Sequence, residues 1–179
     1  ASCQENFETF YIMRRSQYEN WTDEMLDLWT NYLVECESVG RNLLSEKYAR
    51  MMQYSDLHYY NKHLKHKLPT TPVRIFRLIN EIVEQMILWE EELGEKYPLV
   101  VGTGRPLRSE EDYKGQTSLE TYARGELETY PEELLILYLN YIKELADSGI
   151  SLSEKNQLTM VKLYGYDSIK EAEESLKNI

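Results

Sequence analysis

Residues 15–44 read RSQYENWTDEMLDLWTNYLVECESVGRNLL, and residues 124–153 read RGELETYPEELLILYLNYIKELADSGISLS. Set against each other at an offset of 109, they share Arg15/Arg124, Glu19/Glu128, Glu24/Glu133, Leu26/Leu135, Leu28/Leu137, Asn31/Asn140, Tyr32/Tyr141, Glu35/Glu144, Gly40/Gly149 and Leu43/Leu152. Ten identities in thirty positions compare with roughly two expected by composition, so the chain reads as an internal duplication. Trp21 and Trp29 stand opposite Tyr130 and Tyr138, which keeps large aromatic rings at matched places. Both stretches carry apolar residues every three to four positions, the stripe of an amphipathic helix, and both reach a glycine that can stop one.

Working outward, the same period holds almost throughout. Met25, Leu26, Leu28, Trp29, Tyr32, Leu33 and Cys36 form one stripe between Thr22 and Gly40. Thr71-Pro72 offers a cap and a first-turn proline for the longest helix, Pro72 to Leu93, which Gly94 would end. Capping-box spacing recurs at Thr117/Glu120, Thr129/Glu132, Ser151/Glu154 and Ser168/Glu171, so four consecutive helices are expected in the last third. Tyr97 to Val101 is the only candidate strand. The expected fold is therefore all-α: a duplicated helical bundle of about eight helices in two pseudo-symmetric units, forming one domain over residues 1–179.

Unit one spans 1–66 and unit two 72–179. In unit two the Glu120-Thr121-Tyr122 helix is preceded by the long helix, whereas only Ala1 to Phe7 stands before its counterpart Glu8-Thr9-Phe10. Unit one thus lacks its leading helix. The expectation is that this helix belongs to the natural fold and stays docked as a separate piece, since a face built to bury several large side chains at roughly 1.5–3 kcal/mol each is otherwise uncovered. A start at Ala rather than Met agrees with it.

Thirty-one acidic residues against 20 basic ones give a formal net charge of -11. That balance speaks against a nucleic-acid partner, because phosphate contacts require cation density. The one basic stretch, Asn61 to Leu78, is short and crosses a proline-containing linker. No segment approaches the roughly 20 apolar residues that span a bilayer, so no membrane partner is expected. Two cysteines, Cys3 and Cys36, are too few for a disulfide framework, and the composition reads as cytoplasmic.

Ala1-Ser2-Cys3-Gln4, Glu8-Thr9-Phe10, Gly40-Arg41-Asn42-Leu43-Leu44, Glu46-Lys47-Tyr48-Ala49-Arg50-Met51-Met52, Lys96-Tyr97-Pro98, Gly104-Arg105-Pro106 and Glu120-Thr121-Tyr122-Ala123-Arg124-Gly125-Glu126 carry a resemblance over essentially the whole chain. Taken together they resemble a bacterial family of helical proteins known only as a domain of unknown function, with an N-terminal Ala-Ser-Cys-Gln motif. The resemblance implies an additional N-terminal helix ending in Gly-Gly-Arg ahead of that motif, where the arginine is a tryptic site. It implies no activity and no catalytic residues.

The chemistry rests on individual residues. Cys3 precedes a helix, where a positive dipole end lowers a thiol pKa, and is the candidate reactive thiol, although no histidine lies near it in sequence. His63 and His66 are an i, i+3 pair and candidate metal ligands, but interleaved Lys62, Lys65 and Lys67 suit a solvated face. Gly102-Thr103-Gly104-Arg105-Pro106-Leu107 has the wrong third position for a dinucleotide fingerprint, and no cofactor is expected. Arg105 and Arg108 supply forked donors for an anion beside a capped helix start, with Tyr122 and Arg124 on that helix. Arg15, the repeat counterpart of Arg124, either converges on the same ligand or pins its own unit through Glu19 or Glu24.

Two functions of different class are compatible with these residues. One is a binding module for a small anionic ligand or a protein partner. The other is an enzyme on a small anionic metabolite, with Cys3 as nucleophile and the arginines as clamps. No base–nucleophile spacing is visible, which favours the first.

Overall fold

The computed structural model describes residues 6–113 and 116–177. Among the described residues ten α-helices succeed one another in chain order: α1 Phe7–Tyr18, α2 Asp23–Ser38, α3 Leu43–Ser55, α4 Leu57–Tyr59, α5 Val73–Lys96, α6 Pro98–Gly102, α7 Leu119–Leu127, α8 Glu132–Asp147, α9 Leu152–Leu163 and α10 Ile169–Leu176. A π-helical turn, Tyr60–Leu64, and 3₁₀ turns at Lys65–Lys67 and Ser109–Glu111 join them. Among the described residues there is no strand; an isolated bridge links Tyr113 and Gln116. The all-α class stands, and eight of the described helices have at least eight residues.

Local chemistry sets the helix ends. The Thr22 hydroxyl accepts the Met25 N–H to start α2, and Gly40 takes φ +72° just beyond its end, a conformation that costs glycine little. Gly149 does the same after α8, at φ +68°. Ser151 and Ser168 cap α9 and α10 as their spacing predicts. Three other starts are displaced because the expected caps are engaged elsewhere. Ser118, not Thr117, caps α7, since the Thr117 carbonyl and hydroxyl both accept from Arg105. Pro131 occupies the cap of α8, while the Thr129 hydroxyl donates to the Glu126 carbonyl at 2.7 Å. Thr71 likewise leaves α5 uncapped, its hydroxyl donating to Glu128 at 2.9 Å.

The stretch Tyr97 to Val101 is helical rather than extended. Pro98 occupies the first turn of α6, and the Glu173 carboxylate of α10 accepts from the backbone N–H groups of Leu99 and Val100 at 2.8–3.1 Å. A distant carboxylate at the helix N-terminus thus satisfies two otherwise orphaned donors. Gly94 does not end α5, which runs on to Lys96. A Cβ at Gly94 would sit 3.6 Å from Val101 Cγ1, so the glycine sits where α6 folds back on α5.

The main core lies where α2, α5, α7 and α8 meet, around Met25, Ile79, Ile82, Val83, Leu134, Leu135 and Ile142. Trp21, Trp29, Tyr130 and Tyr138 meet inside it, with Trp29 and Tyr130 centroids 4.6 Å apart and Trp21 edge-on to Tyr130 at 6.0 Å. A smaller cluster of Leu93, Val100, Val161, Ile169 and Ala172 joins α6 and α10 to α5 and α9. Helix α5 packs on α7, α8 and α9, α1 packs on α9, and α3 packs on α7. At Gly125 the approach of α7 to α3 is so close that a Cβ would fall 2.6 Å from Met51 Cγ.

Candidate functional site

Tyr122, in the middle of α7, is the residue around which polar chemistry collects. The Lys47 ammonium of α3 stands 3.2 Å above its ring centroid, and the Arg105 guanidinium lies 4.8 Å from it. Cations over an aromatic face are attracted by the ring quadrupole. Burial pushes the Tyr122 hydroxyl up to about 12, so it stays a neutral phenol.

One turn on, Glu126 is shared by two cations. Arg14 of α1 grips both carboxylate oxygens, Lys47 donates to Oε2, and the Tyr130 hydroxyl donates to Oε1 at 3.1 Å. Burial would raise the Glu126 pKa, but the Lys47 and Arg14 charges and their hydrogen bonds hold it down to about 2. Lys47 is the member that loses. Its burial, with repulsion from Arg14 and Arg105, outweighs the attraction of Glu126 and lowers the ammonium to about 8. Beside it, Arg50 donates to Glu128 at 2.7 Å, and both side chains are buried.

This cluster forms one wall of a cleft with two lobes. The narrower, about 210 Å³, lies between α1, α5, α7 and α9, with Glu126, Tyr130 and Tyr138 in its lining. The wider, about 640 Å³, is bounded by α6, the loop through Arg105 and Leu107, and α10, and includes Tyr164 and Tyr166. Met13, Glu90, Leu119, Tyr122, Gln157 and Met160 line both, so the lobes join. A volume of that size, apolar with a few placed polar groups, suits a small organic molecule.

The predicted site residues divide. Arg105 and Tyr122 line the wider lobe. Arg105 donates through Nη1 to the Thr117 carbonyl and hydroxyl, each at 2.9 Å, and has no carboxylate partner among the described residues. Arg108 pairs with Glu91 at 2.8 Å and Glu84 at 3.6 Å. Arg124 pairs with Glu120 at 3.0 Å and donates to Asn80. Neither Arg108 nor Arg124 lines the cleft. Arg15 pairs with Glu19 and donates to the Tyr11 hydroxyl on the outer side of α1, so Arg15 and Arg124 serve separate local pairs. His63 and His66 are exposed on the turns after α4, where His63 stacks on Tyr59 at 4.7 Å. Cys3 lies outside the described residues. Cys36 is buried.

Four residues that matter here escape a reading by motif: Arg14, Lys47, Glu90 and Glu126. Glu90 and Glu126 do fall on the apolar stripes of their helices, one turn after Met86 and Tyr122, and an acid on a buried stripe is the signal that marks them.

Among the described residues no helix is long and apolar enough to cross a membrane. No curated protein and no solved structure matches the chain. A family does, described as "Protein of unknown function (DUF4125)", and it matches residues 1–174. All but the last five residues fall within that match, and the chain therefore belongs to this family of unknown function.

Proposed function

We propose that the protein is a small-ligand-binding module whose cleft seats an anionic group of its ligand on Arg105. The observation that carries this reading is the state of that guanidinium. Arg14, Arg41, Arg50, Arg74, Arg108 and Arg124 each meet a carboxylate, but Arg105 lines the wider lobe with only neutral partners. Its Nη1 is held by Thr117 and its guanidinium lies over the Tyr122 ring, so the group is positioned in advance of any ligand. Calorimetric titration with 3-phenylpropionate tests the proposal. The wild type should bind it, and Arg105→Gln should weaken binding about 10- to 100-fold, the loss of one charged hydrogen-bonded contact. Equal affinity in the two proteins would defeat the reading. The enzymatic alternative needs Cys3 as an acidic thiolate, and a thiol titration that finds it near the free value removes that alternative.

A protein partner is supported by a different observation. Helices α2 and α8 begin and end 109 residues apart, as do the glycines just beyond them. The packing is reciprocal, α1 on α9 and α7 on α3, with α2 meeting α8, as an approximate two-fold axis requires. On this duplicated arrangement, the face of α1–α3 equivalent to the one that α5 covers carries exposed Phe10, Leu33, Val34 and Leu44. Leu33 is 42% exposed where its counterpart Ile142 is 1% exposed. The occupant this face fits is an amphipathic helix like α5, supplied by polypeptide outside residues 1–179. A fluorescent peptide with the sequence of residues 73–96 should bind the chain and lose binding with Leu33→Glu; no binding to the wild type refutes this second reading.

A further inference from the structure

Opposite charges face one cleft without meeting. Glu90, on α5, lines the cleft where its two lobes join, and no cation lies within ion-pairing distance of it among the described residues. It shares the lining of both lobes with Met13 from α1, Tyr122 from α7, and Gln157 and Met160 from α9, and the Ser153 hydroxyl is its hydrogen-bonding neighbour. Glu126 is the other carboxylate lining the narrower lobe, and it is consumed by Arg14 and Lys47. Burial accordingly raises the Glu90 pKa, opposed by Ser153, whereas Glu126 is held low. Across the wider lobe Arg105 is equally without a counter-charge. A carboxylate and a guanidinium that could reach each other would pair; these two line one cavity and do not.

We infer that the cleft is built for a small zwitterion with an apolar body, its ammonium on Glu90 and its anionic end on Arg105. This rests on the Arg105 reading above and adds the second pole of the ligand. An ammonium has three donors and no acceptor, matching a carboxylate whose protein partner is one hydroxyl. A ligand that carries both charges meets both groups at once, whereas a neutral or singly charged ligand leaves at least one of these half-buried groups without a counter-charge. A dianion is disfavoured by Glu90. Leu119, Met160 and the Tyr122 ring line the cleft with the two charged groups, and Tyr164 and Tyr166 border the wider lobe, surfaces that suit an aromatic or aliphatic side chain. The class is that of an apolar amino acid or a similarly sized amphoteric metabolite.

The test uses the full chain and three probes of one shape: L-phenylalanine, 3-phenylpropionate with the anion alone, and 2-phenylethylamine with the cation alone. L-Phenylalanine should bind at least tenfold tighter than either. Glu90→Gln should abolish its advantage over 3-phenylpropionate while leaving 3-phenylpropionate within about twofold, and Arg105→Gln should do the reverse for 2-phenylethylamine. If 3-phenylpropionate binds as tightly as L-phenylalanine, or Glu90→Gln changes nothing, the inference falls while the Arg105 reading stands. If L-phenylalanine and 2-phenylethylamine bind in a Glu90-dependent way that Arg105→Gln leaves unchanged, the Arg105 reading falls, and the two-pole ligand with it. Failure of all three probes at millimolar concentration overturns both.

Discussion

Replacing Glu126 with glutamine separates an ion pair that holds the fold from one that merely occurs in it. Its carboxylate joins α1, α3 and α7 through Arg14, Lys47 and Tyr130, with 10% of the Glu126 side chain and 3% of the Lys47 side chain exposed. Glutamine keeps the shape but removes the charge, leaving two buried cations around a neutral amide. Breaking one side of a buried pair costs about 3–5 kcal/mol. For a domain of this size that is a fall in Tm of roughly 6–20 °C. The acid side gives an independent figure. Glu126 is held at about 2 in place of its ordinary 4.5, and that difference corresponds to roughly 3 kcal/mol. The contribution is fully present above pH 4.5 and is lost as pH falls from there toward 2, because the unfolded carboxylate takes up its proton first.

Lys47 has the opposite sign. Held at about 8 in place of 10.5, its ammonium is disfavoured by folding, so the unfolded state binds more protons between those values and stability rises as pH climbs through that window. Lys47→Met should therefore change stability at pH 7 by no more than about 1 kcal/mol, since removing a costly buried charge offsets the lost contact with Glu126. Urea unfolding at pH 3, 7 and 9.5 checks all of this. The reasoning is refuted if Glu126→Gln loses less than 1 kcal/mol at pH 7, or if the mutant and wild type lose stability equally between pH 5 and pH 3.

Gly125→Ala should destabilise by about 1–3 kcal/mol in the same assay, because its Cβ would meet Met51 Cγ at 2.6 Å and the Lys47 carbonyl at 3.1 Å, forcing α7 away from α3. Glu173→Ala should cost about 1–3 kcal/mol, since the Leu99 and Val100 N–H groups lose their acceptor; hydrogen exchange should quicken at those two amides and not in α8.

What the sequence makes legible is what periodicity and local caps govern. The stripes of α2, α5 and α8, the Thr22 start and the Gly40 stop all depend on neighbours within one or two turns. Where the outcome depends on a distant group, local reading fails. Glu173 lies more than seventy positions from the N–H groups it caps, so Pro98-Leu99-Val100-Val101 looks like a strand until α10 is placed. The arginines show the same limit. Arg105 and Arg108 are alike as forked donors three residues apart, and only the packing of α5 decides that Arg108 meets Glu91 while Arg105 meets none. Glu90 sits in Trp89-Glu90-Glu91-Glu92, a run that reads as a solvated face; its place one turn after Met86 is what takes it inward.

On the duplicated arrangement proposed above, the site is built where the two units differ. The two reciprocal interfaces are of unlike chemistry. Between α3 and α7 stand Lys47 and Arg50 with Glu126 and Glu128; at the corresponding positions between α9 and α1 stand Asn156 and Thr159 with Gln17 and Glu19. There Asn20 donates to both Asn156 and Thr159 at 3.1 Å, a neutral network in place of a charged one. The same offset sets Arg14 against Ala123 and Met13 against Tyr122. Met13, Tyr122 and Ala123 all line the narrower lobe, whereas Arg14 is drawn off to Glu126 and leaves the cleft to the other three. Two charged members, Glu90 on α5 and Arg105 in the loop after α6, lie outside the matched stretches 15–44 and 124–153. On that arrangement the matched helices supply a symmetric frame, and the residues that differ between them, with Glu90 and Arg105 outside the match, supply the polarity of the cleft.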